Sequence, residues 1–298
     1  MKKVLPKIIF CAVIFLALAS GAKAALTVQA VSPAHGSDFF IDSSYDAFGR
    51  SNITASLKET SQRAYFYVED DWWESVVSPS DAKAQIHQLA IEFDQNIYPK
   101  MTDFFGSIWD PGIDNDPKIT VLISRIKEGA GGYFNSADEY PKSLSSSSNE
   151  QEMIYLSALY LAESREKSFL AHEFQHLITF YQKEKLNNVT EEIWLNEARS
   201  EYAATLCGYD VPLANSNLEK RIFDFFKSPS DSLTEWAAAT ADYGATDLFM
   251  QYLVSHFGDR ILTKITQSSL IGIASINDAL GSSGSNENFS SVFMNWVI

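Results

Sequence analysis

Cysteine is almost missing from this sequence, with two occurrences in 298 residues, Cys11 and Cys207. Cys11 falls in a segment read below as a removable leader, which leaves Cys207 alone. No internal disulfide is then available, and Cys207 reads as a small buried apolar residue. Positive charge is also scarce. Lys and Arg number 23 against 38 Asp and Glu, for a formal charge of −15. That balance argues against nucleic acid and anionic membrane surfaces as partners and suits a soluble, exported chain. Internal repeats are absent. Beyond the first 24 residues there is no run apolar enough for a transmembrane helix. What is present is ordinary for a globular protein, with 46% hydrophobic and 20% charged residues. The length fits one large domain or two coupled lobes, enough to bury a core without covalent staples.

The N-terminus has the build of an export signal. Lys2, Lys3 and Lys7 precede an apolar stretch, Ile8 to Ala19, and Ala22-Lys23-Ala24 offers small residues for cleavage after Ala24. The apolar stretch is short of the roughly 20 residues a bilayer span needs. Cleavage would remove four lysines and no carboxylate, taking the charge from −15 to −19. The expected location is secreted or periplasmic.

Residues 25–60 are punctuated by Ser, Asp and Gly and read as a leader, a propeptide or peripheral strands. A first α/β lobe is expected over 61–185. Its strands are Ala64–Val68, Lys118–Ile126 and Met153–Leu156, and its first helix is capped by Ser80 or Asp81 and runs to about Phe105. The serine run Ser143–Ser148 reads as a solvated loop. A helical second lobe is expected over 186–298. Helices are predicted over 165–185, 191–206, 218–227, 240–257 and 258–267, with a last one from about 287 that breaks off at Ile298 and reads as truncated. Strands first and helices later make the class α+β rather than a doubly wound sheet.

The chemistry concentrates in Ala171-His172-Glu173-Phe174-Gln175-His176, an H-E-x-x-H pattern in an apolar helical setting. At i, i+4 the two imidazoles project from one helix face, one turn apart, as two ligands of one tetrahedral zinc require. Glu173 stands beside them, placed to take a proton from a zinc-activated water. Such a centre needs a third protein ligand and an open position.

About twenty residues later comes Trp194-Leu195-Asn196-Glu197, in a stretch free of Pro and Gly. The two motifs together resemble the gluzincin zinc metallopeptidases. From about residue 64 onward the chain is most similar to the hyicolysin-type neutral metallopeptidases, with Tyr243-Gly244 as a further shared feature. The resemblance implies a zincin (thermolysin-like) fold with one Zn2+ per chain on His172, His176 and Glu197, and Glu173 as general base. It also implies that Glu201 holds a ligand histidine from behind and that Tyr243 donates to the oxyanion, with His256 a weaker candidate. Two departures stand out. Ala198 replaces the usual glycine, and Arg199 is charged where relatives are apolar.

The same resemblance puts an edge strand at Gly131-Gly132-Tyr133, where an extended peptide can add by main-chain hydrogen bonds. The paired glycines allow close backbone approach. The Gly-x-Met-Glu-Asn segment of gluzincin aminopeptidases is missing, which favours an endopeptidase acting on peptide or protein substrates. Asp110, Asp114, Asn115 and Asp116 are dense in oxygen, as calcium sites are, but Pro111 and Pro117 bracket them and a turn is the expectation. Asn52, Asn188 and Asn288 head glycosylation triplets. Two other functions use the same residues: a catalytically inactive binding or cell-envelope protein on this fold, and a hydrolase of non-peptide amides.

Overall fold

The computed structural model describes residues 37–298, so the leader and the cleavage site after Ala24 lie outside the described residues. The sheet is assembled first. Strands β1 (Ser37–Phe40), β2 (Asn52–Thr60) and β3 (Ala64–Glu69) pair antiparallel in sequence. Strand β4 (Ile119–Ser124) then runs parallel to β3, and β6 (Met153–Ser157) parallel to β4. The short β5 (Gly132–Phe134) pairs antiparallel with β6, giving the order β1-β2-β3-β4-β6-β5 with β5 on the edge. The class is α+β with a mixed sheet, and the stretch 37–60 supplies its first two strands.

Strand periodicity sorts the core into two layers. Phe66, Val68, Val121, Ile123, Ile154 and Leu156 face the helices, whereas Tyr67, Leu122, Met153 and Tyr155 face the opposite side with Phe39 and Ile53. Both faces of β4 are buried, and so its sequence is a continuous apolar run rather than an alternating one.

The first long helix begins earlier than its sequence suggests. After a short α1 (Asp70–Ser75), α2 spans Pro79–Glu92 with Pro79 in the first turn, where a fixed φ and a missing N–H cost nothing. A widened turn over Phe93–Ile97 leads directly into α3 (Tyr98–Phe105), which ends at Gly106 with φ 115°. The serine run also differs from expectation. Ser148 is fully buried, and its hydroxyl donates to the carbonyls of Tyr140 and Asp138.

The helical part follows: α4 (Glu166–Thr179), α5 (Ile193–Cys207), α6 (Asn217–Lys227), α7 (Thr240–Phe257), α8 (Arg260–Gln267), α9 (Gly272–Ser282) and α10 (Phe289–Val297). Helix α9 is not among the expected helices; burial of Ile276, Ala279 and Leu280 stabilises it despite two glycines of weak helix propensity. Helix α4 packs on β5 and β6 on one side and on α5 on the other. Its Leu170, Phe174, Leu177 and Ile178 are buried, each contributing about 1.5–3 kcal/mol. Among the described residues no helix is long and apolar enough to cross a membrane.

Candidate metal centre

Helices α4 and α5 meet side by side, and four side chains of the candidate site come from this one contact. His172 and His176 leave α4 one turn apart, with their Nε2 atoms 3.2 Å from each other. Across the groove, Glu197 of α5 places Oε2 3.3 Å from His172 Nε2 and Oε1 3.6 Å from His176 Nε2. Donor atoms of His172, Glu173 and His176 lie within 4.8 Å of one another.

The other nitrogen of each imidazole is held from behind. His172 Nδ1 is 3.3 Å from Glu201 Oε1, one turn past Glu197 on α5. Glu201 in turn accepts from Arg221 Nε and Nη2 at 2.7 and 2.8 Å and from Asn217 Nδ2 at 2.7 Å, all from α6. His176 Nδ1 lies 3.2 Å from the Ser200 hydroxyl, which donates to Gln175 Oε1 at 2.7 Å. With its proton committed there, Ser200 can accept the Nδ1–H of His176. Both rings thereby keep their Nε2 atoms turned toward Glu197.

Charge in this cleft is strongly coupled. Burial works against the charged form of His172, yet the Glu197 and Glu201 carboxylates push its pKa well up. For Glu197 burial is likewise outweighed, and the two histidines hold its carboxyl down at about 2. Glu201 is held well below the usual carboxylate range against burial by Arg221 and His172. Glu173 goes the other way. Burial raises it, and the nearby histidines only partly offset this. A carboxylate pushed up in this manner is better matched to accepting a proton near neutral pH than an ordinary one.

Tyr243 lies at the start of α7, beside the same cluster. Its phenol is pushed up first by burial and then by Glu197 and Glu201, while the Arg221 guanidinium sits 4.5 Å from its ring centre. Gly244 makes this possible. A Cβ there would fall 2.6 Å from the Phe225 nitrogen and 2.9 Å from the Arg221 carbonyl, so only glycine lets α6 and α7 cross closely enough. His256, by contrast, stacks on Tyr252 at 3.9 Å with Nδ1 near the Tyr252 carbonyl and Ser255, away from the cluster.

The edge strand has a reason of its own for glycine. A Cβ at Gly131 would meet the Phe169 ring at 2.4 Å, and one at Gly132 would meet Glu173 Cγ at 2.9 Å. The pair is required for α4 to lie against β5, before any substrate is considered. Tyr133 does not offer its side chain to a ligand. Its ring is sandwiched between Tyr45 at 4.5 Å and Tyr155 at 4.1 Å, and its hydroxyl accepts from the Asp42 N–H at 3.2 Å.

The two departures noted in the α5 motif have structural homes. Ala198 is fully buried between packed helices. Arg199 is also fully buried, and its Nη1 donates to Glu191 Oε2 at 2.8 Å, with Lys183 Nζ 3.3 Å from the same oxygen. Glu191 further accepts from the Gly272 N–H at 2.7 Å, tying the start of α5 to α9. Arg199 therefore anchors the helix that carries Glu197 and does not disturb the cleft. Glu192, the rival of Glu197 in sequence, is occupied elsewhere, accepting from Trp194 Nε1 at 2.6 Å.

Several members of the site went unnoticed in sequence. Ser200 follows Glu197 by three positions and could have been found by helical spacing. Asn217 and Arg221 come from a separate helix and carried no local signal. Tyr45, in the turn after β1, has its phenol pushed up by burial and by Glu173 and Glu197, which places it within electrostatic reach of the cleft.

No family model matches the chain. It is similar to the neutral metalloprotease ShpI of Staphylococcus hyicus, at 28% identity over 239 residues, covering 72% of this chain and 50% of that protein. The chain spans about half the length of the curated relative it matches. It is thus related to the neutral metallopeptidases.

Proposed function

We propose that this protein is an exported zinc-dependent peptidase, with the metal held by His172, His176 and Glu197. One observation carries the reading. Bonds of about 2.0–2.1 Å at tetrahedral angles put ligand atoms about 3.3 Å apart. Here the two Nε2 atoms stand 3.2 Å apart, and Glu197 approaches His172 Nε2 with Oε2 at 3.3 Å and His176 Nε2 with Oε1 at 3.6 Å. Two imidazoles, each held from behind through its Nδ1, and one carboxylate are also the donor set a catalytic zinc takes while leaving one position open.

When bound, zinc supplies a Lewis acid that acidifies water and polarises a carbonyl. The rest falls to the chain. Glu173 accepts the proton of the attacking water on its carboxylate and delivers it to the leaving amine. Its raised pKa keeps it basic enough for the first task and acidic enough for the second. Tyr243, kept protonated by burial and two carboxylates, offers its O–H to the oxyanion that develops on the carbonyl oxygen. The free edge of β5, Gly131 to Tyr133, aligns an extended peptide through main-chain hydrogen bonds, since the Tyr133 side chain is buried. An extended peptide passing along an open edge suits internal cleavage, and so an endopeptidase is proposed. Export rests on the signal-like first 24 residues.

The test is direct. Purified protein should contain about one zinc and cleave an unstructured protein such as casein, and Glu173→Gln should keep the zinc and lose the cleavage. Equal casein turnover by the two proteins would overturn the proposal.

A further inference from the structure

Arg199, the charged departure in the α5 motif, is only half used by its packing role. The side chain is fully buried. Its Nη1 donates to Glu191 Oε2 at 2.8 Å, whereas Nε and Nη2 have no hydrogen-bond partner among the described residues. Nε and Nη2 form the other edge of the planar guanidinium, the fork that takes an anion through two parallel N–H bonds.

Glu191 does not serve both edges. Its Oε2 already faces Arg199 Nη1 and Lys183 Nζ, at 2.8 and 3.3 Å. Its Oε1 accepts the N–H groups of Gly272 and Glu192, at 2.7 and 3.1 Å. Lys183 is equally occupied, since Nζ also donates to the carbonyls of Ser268 and Leu270 at 2.9 and 2.6 Å. The next carboxylate along the chain, Glu192, belongs to an exposed residue and accepts from Trp194 Nε1. Two buried cations, Lys183 and Arg199, thus share one carboxylate, which leaves a surplus of one positive charge. Burying a charge is costly unless it is both paired and hydrogen-bonded. A water would satisfy the two free donors and leave the charge; a monovalent anion answers both.

We propose that the Nε–Nη2 edge of Arg199 binds a small monovalent anion, with chloride the best fit. Chloride only accepts, carries the single charge the group needs, and takes N–H donors from any direction. Sulfate or phosphate would overshoot the charge and need more room. A carboxylate from a partner molecule does not reach a side chain without solvent exposure. With the anion in place, Lys183, Glu191 and Arg199 become a neutral group. That group joins α5 to the turn 180–185 that follows α4 and to the start of α9. Helix α5 carries Glu197, so the anion steadies one of the two helices that build the metal centre.

The test follows the melting temperature of the full chain while chloride replaces gluconate at constant sodium concentration and ionic strength, so that screening does not change. Chloride should raise the melting temperature by a few degrees and then saturate, and bromide should do the same. In Arg199→Lys the charge remains and an ammonium still faces Glu191, but the two-donor edge is gone, and the halide shift should disappear. Should that variant fail to fold, anomalous scattering from bromide-soaked wild-type crystals decides, with a bromide expected in contact with Arg199 Nε and Nη2. The proposal is overturned by a wild type whose melting temperature ignores chloride, by a shift that persists unchanged in Arg199→Lys, or by bromide found only at the metal centre or the surface.

Discussion

The molecule holds two buried clusters of carboxylates, and they solve the same electrostatic problem differently. Between α4 and α5, Glu197 and Glu201 face two imidazoles and a guanidinium, and both stay ionised in the fold. Between the 110–116 loop and β6, Glu139 and Glu152 face each other and Asp114, and both are pushed toward the protonated form. The difference lies in where the partners come from. The first cluster is satisfied by side chains at helical spacing and by one crossing helix. The second is assembled by three distant segments that bring acceptors and almost no donors. A cluster that is already paired stays charged in the fold, whereas one short of donors is pushed toward its neutral form.

The sharpest way to break this contrast is at Glu173, the one carboxylate of the first cluster for which burial outweighs the nearby histidines and leaves the group raised. Glu173→Gln should lower peptide turnover by about 10²–10⁴ with zinc content and melting temperature unchanged, measured by casein hydrolysis beside metal analysis. Next is the support behind His172. Glu201→Gln removes the charge that Arg221 and His172 share, and zinc affinity measured against a competing chelator should fall about 10–100-fold. An unchanged affinity would mean that α6 contributes only packing.

For the second cluster, Glu152→Gln should flatten the loss of stability between about pH 4.5 and 7, because the group that must ionise there is gone. Thermal melts across that range would show it, and a slope equal to wild type would assign the pH response elsewhere. The smallest effect is expected at Ser200. Ser200→Ala removes one neutral hydrogen bond to His176, worth about 1 kcal/mol, so zinc affinity should drop by less than about tenfold.

The contrast also explains what could be read from sequence. His172, Glu173 and His176 are neighbours on one helix, and spacing alone puts them on a shared face. Glu197 and Glu201 repeat that logic on α5, so both motifs and their helices were legible. Strands β3, β4 and β6 announced themselves as β-branched and aromatic runs. Arg221 was invisible because its role depends on the crossing of α6 and α7 at Gly244, a tertiary fact. The Glu139–Glu152 pair was hidden for the same reason. The aspartates of the 110–116 loop read as a turn, and the chain does turn at 112–115; the glutamates beside it lie some 25 to 40 positions away. Arg199 and the Gly131-Gly132 pair were noticed, but their packing roles were not legible, since Arg199 is a buried ion-pair partner of Glu191 and the glycines make room for α4.

Everything proposed for the cleft depends on Glu197 completing a metal centre with His172 and His176. Metal analysis of purified wild type and Glu197→Ala, after equal exposure to zinc and a weak chelator, tests this most directly. The account predicts about one zinc in the wild type and loss of tight zinc in the folded variant. A Glu197→Ala protein that keeps its full complement of zinc would contradict it.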